Sequence, residues 1–331
     1  MRLAVLILFV AILPLPGCER GESASVIRLA HSLDTAHPVH KAMEHMGHRL
    51  DSLSNGSMRV EIFPAGQLGN ERELIELLQI GSLAMTKVSA SPLEGFVPLM
   101  RVFNLPYLFR NTAHYHKVLD STVGRELLNA PIPFRLRGLG YYDAGARSFY
   151  SVDRAIHAPR DLQGLKIRVQ ESPTALAMVS KLGGSPTPIA WGELYTALQQ
   201  GVVDGAENNP PSFYLSGHYE ICKYFTLDEH TSVPDVLLIS TVVWDSLNPQ
   251  QQGWLQQAVD ESVAFQRKLW AVESEKALAA VSQAGVEIIR PDKTAFRSRV
   301  RAMREEHRGT KIGELLERIA MIKSGDEVRA E

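Results

Sequence analysis

The sequence predicts an α/β fold of two lobes braced by a single long helix. Three observations predict it. Short apolar strands alternate with capped helices along most of the chain, which implies mainly parallel sheets. The length of 331 residues suggests about two domains at roughly 100–200 residues each. A late segment from Asn248-Pro249 to Gly285 reads as one helix of roughly 50 Å, longer than one small domain, so it should touch both lobes. With 35 Lys+Arg against 37 Asp+Glu the formal charge is −2, which removes the electrostatic footprint of a nucleic-acid binder. Two cysteines, Cys18 and Cys222, exclude a disulfide framework and a thiolate zinc site.

Residues 1–17 read as a signal peptide. Met1-Arg2 supplies a positive charge, and Leu3 to Leu13 is an apolar run too short to span a bilayer, broken by Pro14 and Pro16. Leu15-Pro16-Gly17-Cys18 is similar to a bacterial lipobox, which would acylate Cys18 and anchor it as the mature N-terminus. Cleavage a few residues later is the alternative.

In the mature chain, Val26–His31 reads as a strand and a helix opens at Pro38, closing near Asn55-Gly56. Met58–Phe63 alternates as a strand should. Asn70 offers a capping box with Glu73 for a helix to Gly81. Further strands are expected at Ala84–Ser89, Phe134–Tyr142, Arg147–Val152 and Lys166–Val169. Ser172-Pro173 opens a helix that stops at Gly183-Gly184, and Trp191–Gln200 forms another, closed by Gly201. Val202-Val203-Asp204 begins a further strand. A long helix across two α/β lobes suggests a binding protein that closes about a hinge.

Catalytic chemistry is missing. No phosphate-binding loop or G-x-S-x-G elbow occurs, and Gly138-x-Gly140 meets Asp143 where a dinucleotide fingerprint needs glycine. His40, Glu44 and His48 share metal-ligand spacing, but lack the H-E-x-x-H order and read better as a solvated polar face, beside His37 and His45. Asp228-Glu229-His230 reads as structural hydrogen bonding rather than an acid/base pair. Cys222 reads as a buried thiol. No catalytic residue, metal site or cofactor is assigned.

Binding chemistry is present. Alternation puts Lys166 and Arg168 on one face of their strand, and Arg168 sits at its C-terminal end, just before a helix N-terminus, where open α/β sheets hold anions. Arg147 starts another strand after Gly145-Ala146, with no acid adjacent in sequence. A guanidinium fork matches a carboxylate through two parallel hydrogen bonds; the plainer reading is a surface arginine or one paired with an acid elsewhere. Trp191 can cover the C–H face of a sugar-like ligand, or simply fill the core. The run from Asp204 to Pro211 carries amides able to bond a carboxylate, though it also reads as a turn.

These residues carry a family resemblance. Phe63-Pro64-Ala65-Gly66-Gln67-Leu68-Gly69, Gly164-Leu165-Lys166-Ile167-Arg168-Val169, Gly184-Ser185-Pro186-Thr187-Pro188, and the run from Glu193 through Gly205 to Glu207-Asn208 match in order and spacing. From about Val26 to Arg290 the chain resembles the DctP-type receptors of tripartite ATP-independent periplasmic (TRAP) transporters. The resemblance implies a two-lobed periplasmic binding protein-like fold with an interlobe ligand cleft, lobe I comprising 24–145 plus 234–273 and lobe II 146–233 plus 274–331. It implies a periplasmic receptor that hands a small organic acid to membrane permease subunits. Arg168 is the implied bidentate carboxylate anchor, Arg147 and Asn208 complete that site, and Trp191 packs on the ligand. His31, Ser32, His37, Glu71, Lys87, Ser89 and Asn209 fall where the family reads the remainder of the substrate. Glu207-Asn208-Asn209 and the segments around His218 and His230 look most like sugar-acid receptors, hexuronate binders included. A C4-dicarboxylate would want another cationic fork; an aldonate, a keto-sugar acid, a sugar-acid enzyme using His230 or Glu207 as base, and a domain presenting ligand to a sensor are the rival readings.

Overall fold

A computed structural model describes residues 24–323. The expected signal peptide and Cys18 lie outside the described residues.

The chain builds two sheets. Strands β1 (Ser25–Ala30), β2 (Met58–Phe63), β3 (Met85–Ser89) and β4 (Leu136–Tyr142) belong to the first; β5 (Arg147–Ser151), β6 (Lys166–Val169), β7 (Ser185–Pro188), β8 (Gly205–Asn208) and β9 (Tyr224–Thr231) belong to the second. β10 (Asp235–Ser240) returns to the first sheet and β11 (Glu287–Ile289) to the second, giving orders β2-β1-β3-β10-β4 and β11-β9-β5-β8-β6-β7. The sheets are mixed rather than simply parallel: β10 runs antiparallel to β3 and β4, and β5 antiparallel to β8 and β9. That follows from the path of the chain. β4 continues into β5 across residues 143–146, and β9 into β10 across 232–234, so two antiparallel strand pairs run from one sheet to the other, with Tyr142 opposite Asp235 and Arg147 opposite Thr231.

Helix α1 (Pro38–Leu53) is capped by His37, whose Nδ1 accepts from the Val39 amide at 3.2 Å, with Pro38 at its first turn. Val39, Ala42, Met43, Met46 and Leu50 form its apolar stripe and are buried against the long helix. α2 (Glu71–Gln79) carries the expected capping box of Asn70 and Glu73. α3 (Pro173–Leu182) is capped by Ser172 and ended by Gly183 in the left-handed conformation. Trp191 begins a single 3-10 turn, Trp191–Glu193, ahead of a helix at Leu194–Gln199, so the helix expected over 191–200 is broken at its start. Val202–Asp204 lie ahead of β8, which starts only at Gly205, because Gly201 at φ +68° redirects the chain and leaves Val202 exposed. Likewise Ile132–Phe134 is a 3-10 turn before β4. α4 (Pro210–Leu215) follows β8 directly.

α5 (Pro249–Gln283) spans 35 residues, about 52 Å at 1.5 Å per residue, and carries an Asn248–Gln251 capping box. Leu255, Ala258, Val259 and Trp270 pack in the core beneath the first sheet, and Val281 packs in that of the second. The helix therefore braces both lobes. It also grips the crossing strand: Ser262 meets the Tyr142 hydroxyl at 2.8 Å, and the Gln266 amide both accepts from Asp143 N–H and donates to Asp143 C=O, at 2.8 Å each. Beside them Gly145 sits at φ +60°, where a Cβ would lie 3.0 Å from Trp270 Nε1. Beyond α5 the described chain contacts both sheets. β11 joins the second sheet, whereas helix Lys311–Met321 packs back on the first-sheet side, Ile319 C=O meeting His114 Nε2 at 3.0 Å and Arg318 pairing with Glu126.

Candidate functional site

The carboxyl ends of β1, β3, β6, β7 and β8 converge on a crevice between the sheets, the place where open α/β sheets put ligands. A cavity of about 230 Å³ lies there, bounded by Ser32, Glu71 and Arg72 on one side and Arg168, Gln170 and Trp191 on the other. It is smaller than the ~300–1,000 Å³ of drug-sized sites, so it suits a compact ligand. A further recess of about 40 Å³ shares Ser32, Glu71, Gln170 and Trp191 with it and is lined by Lys87, Arg147, Asn208, Asn209 and Asp235 among others.

Arg168 is 2% exposed, and burial pulls its pKa below the ordinary arginine value against the opposing pull of Tyr150 and Glu207. Its Nε donates to Ile189 C=O at 2.8 Å, and its buried Nη1 has no hydrogen-bond partner among the described residues. A guanidinium holds five N–H donors, so most of its fork is unspent and borders the cavity. The Trp191 ring stands 5.9 Å from its central carbon, within cation–π range, and packs against the cores of both lobes.

Arg147 is different. The sequence shows no acid beside it, yet β5 pairs with β8 and brings Glu207 to it. Its Nε donates to Glu207 Oε2, its Nη2 to Glu207 Oε1 at 2.8 Å and to Glu207 C=O at 2.8 Å, and its Nη1 to Asn208 Oδ1 at 2.9 Å. One N–H remains. Glu207 in turn lies 3.4 Å from His230 Nε2, and His230 Nδ1 lies 2.9 Å from Asp228 Oδ2. Asp228 and His230 meet where β9 bulges out of register with β5, Glu229 between them standing at φ +49°. Burial opposes the charges of Arg147, Glu207 and His230. Arg147 and His230 nevertheless hold the Glu207 carboxyl down to about 2, and Asp228 and Glu207 raise His230 to about 9.

The other expected residues divide. Lys87 Nζ stands 3.2 Å from both Glu71 Oε1 and Asp235 Oδ2, and these carboxylates raise its pKa in spite of burial. Glu71 Oε1 also accepts from the Ser89 amide at 3.1 Å. Ser89 Oγ donates to Gln170 Oε1 at 3.3 Å, and His37 Nε2 lies 3.2 Å from Ser212 Oγ, so side chains meet across the crevice. Burial, then Lys87, pulls the His37 pKa well below its ordinary value. Asn209 lines the recess while its Oδ1 caps α4 through Ser212 N–H at 2.8 Å. His31 does not line the cavity: it is fully buried, accepts from Leu33 N–H at 3.1 Å and meets His40 Nδ1 at 2.9 Å. His40 is likewise buried, 3.3 Å from Glu44, so the polar face expected for His40, Glu44 and His48 is in fact partly core. Gln170 and Asp235 were not singled out by sequence. Gln170 sits two residues past Arg168 and so follows its side of the strand, and Asp235 is the one charge opening the apolar run Asp235–Ser240.

Among the described residues no group of three or more His, Cys, Asp or Glu is placed to hold a metal ion. No described helix is long and apolar enough to cross a membrane. Burial pushes the Cys222 thiol up, away from the reactive thiolate.

Residues 29–309 match the DctP model, bacterial extracellular solute-binding protein family 7. The uncharacterized protein YiiZ of Salmonella typhimurium is 40% identical over 284 residues, 85% of this chain and 86% of its own. A TRAP periplasmic solute-binding protein from Xanthobacter autotrophicus, solved with β-D-galacturonate, superposes with a TM-score of 0.87 at 38% identity, covering 90% of this chain and all of that one. Another from Pseudomonas putida F1, solved with D-glucuronate, gives 0.88 at 35%, covering 91% and 98%. The chain belongs to the DctP family, the extracytoplasmic solute receptors of TRAP transporters.

Proposed function

We propose that this receptor binds a hexuronate, D-glucuronate or D-galacturonate, and delivers it to the membrane permease without chemical change. The observation that carries the reading is the unspent guanidinium of Arg168 beside an interlobe cavity. A buried charge without a counterion is costly, and a ligand carboxylate relieves that cost through two charge-assisted hydrogen bonds. The spare N–H of Arg147, held in place by Glu207 and Asn208, supplies a further donor to the same carboxylate. Trp191 covers the apolar face of the ring. Lys87 between Glu71 and Asp235 offers donors and acceptors side by side, which suits hydroxyls, since each O–H both gives and takes a hydrogen bond. A dicarboxylate would set its other charge against Glu71 and Asp235. The supporting comparison is that receptors from Xanthobacter and Pseudomonas hold galacturonate and glucuronate in the same fold.

The lobes meet at residues 143–146 and 232–234, which serve as the hinge; lobe I takes 24–145 and 234–273, and lobe II 146–233 and 274–310, with the final helix returned to lobe I. Ligand that touches both lobes binds the closed form better and shifts the population toward it. The test is calorimetric titration with D-glucuronate, D-galacturonate, an aldonate, a keto-sugar acid and succinate, with the recovered ligand checked for turnover. One-to-one binding of a hexuronate tighter than of the others, recovered intact, is expected. Preference for succinate, or conversion of the sugar acid, would overturn the reading.

A further inference from the structure

Two segments face each other across the crevice. One runs from β3 into the short helix Ala90–Leu93 and ends at Glu94; the other runs from β6 through Gln170 into the first turn of α3. Near their start these segments line the candidate site, Lys87 and Ser89 facing Gln170 across the recess and Arg168 bordering the adjoining cavity. A few residues on they make a second set of contacts, centred on one carboxylate.

Glu94 is 4% exposed, and its two oxygens accept four hydrogen bonds. Two come from its own side: Arg101 Nε to Oε1 at 2.9 Å and Asn104 Nδ2 to Oε2 at 3.0 Å. Ser91 Oγ donates to Asn104 Oδ1, which fixes the amide so that its NH₂ faces the carboxylate. The other two come from the opposite segment: Ser172 Oγ to Oε2 and Thr174 Oγ1 to Oε1, each at 2.7 Å. Ser172 Oγ also accepts from Ala175 N–H at 3.1 Å, so the hydroxyl that caps α3 passes its proton's bond to Glu94. The carboxylate thereby sits at the positive end of that helix. None of Glu94, Ser172 and Thr174 lines the ligand cavity.

We infer that Glu94 is an interlobe latch: a carboxylate assembled on the first-sheet side that locks onto the Ser172 and Thr174 hydroxyls when the crevice shuts over its ligand. Arg168 lies four residues before Ser172 on the same segment, so drawing the guanidinium onto a ligand seats the hydroxyls on Glu94. Opening the lobes strips two hydrogen bonds from a buried carboxylate, so the latch lengthens the life of the closed complex. It adds affinity without touching the ligand.

The latch rests on the receptor reading above, and its test separates the two. Thr174→Val keeps the side-chain shape and the Ser172 cap but removes one donor; Glu94→Gln turns two of the four acceptor sites into donors. Each should raise the hexuronate Kd about tenfold, through faster dissociation with little change in association. Spin labels on the exposed faces of the two lobes should report more of the open distance in each variant. The Glu94→Gln/Thr174→Val double variant should lose much less than the sum of the singles. Affinities within twofold of wild type with unchanged interlobe distances, or strictly additive losses, would overturn the latch. If no sugar acid binds the wild-type protein, the substrate assignment alone falls, and the interlobe distances and dissociation rates of Thr174→Val against wild type, measured with the organic acid that the wild type does bind, still decide the latch.

Discussion

Arg147 and Glu207 form a bidentate ion pair across the β5–β8 ladder, while Arg168, on the strand next to β8, has no acid against its fork. Two buried arginines that look equivalent in sequence thus differ in what they can offer a ligand. One is already neutralised and acts through position. The other is a buried cation of the crevice whose Nη1 has no partner among the described residues.

Glu207→Gln should cost the ligand-free protein about 3–5 kcal/mol, because it leaves Arg147 buried without its counterion. Urea unfolding of the two proteins checks this. A loss below about 1 kcal/mol would show that the relay from Asp228 to Arg147 contributes little to the folded state.

The same relay makes stability depend on pH. His230, raised to about 9 from an ordinary 6.5, contributes stability that is fully present below pH 6.5 and is lost as pH rises through 9. His31 and His218, each lowered to about 3, contribute stability that is present above 6.5 and lost as pH falls from there toward 3. The melting temperature should therefore be highest near pH 6.5 and decline on both sides. His230→Asn should flatten the alkaline limb alone; an unchanged alkaline limb would contradict the assignment.

Trp191→Ala should weaken hexuronate binding by about 1–2 kcal/mol, through lost apolar cover and the lost cation–π contact to Arg168. Trp191→Phe should recover most of it. Calorimetry on both variants decides, and equal affinities for Trp191→Ala and wild type would remove the ring from the site.

Gly145→Ala should destabilise the protein by about 1–2 kcal/mol, since φ +60° is strained for a residue with a side chain and the new methyl meets Trp270. The shift in urea midpoint measures it. Gly56, also at positive φ but with open space around it, is the control: Gly56→Ala shares the backbone strain without the clash and should lose less.

Much of the fold is legible in the sequence because its signals are local. The Asn70–Glu73 capping box, the Ser172-Pro173 start, the Gly183 stop and the Asn248-Pro249 opening each name a helix terminus by chemistry confined to four residues. The place of Arg168 at the end of its strand is legible for the same reason, whereas the turn at Trp191 reads as part of a longer helix. What is not legible is pairing. That β4 and β10 run antiparallel, and that the chain crosses between sheets twice, depends on contacts nearly a hundred residues apart. The Glu207 partner of Arg147 is hidden likewise, sixty residues away in sequence and adjacent only through the β5–β8 register. His40 reads as polar surface and His31 as a residue facing the substrate until tertiary packing buries the two against each other.

The most direct measurement is calorimetric titration of D-glucuronate and D-galacturonate into wild type, Arg168→Lys and Arg168→Ala. Micromolar or tighter one-to-one binding by wild type is expected for at least one acid, with a loss of about 3 kcal/mol or more in Arg168→Ala. Little should be recovered in Arg168→Lys, since an ammonium keeps the charge but not the fork. Affinity in Arg168→Lys or Arg168→Ala within threefold of wild type would contradict the carboxylate anchor.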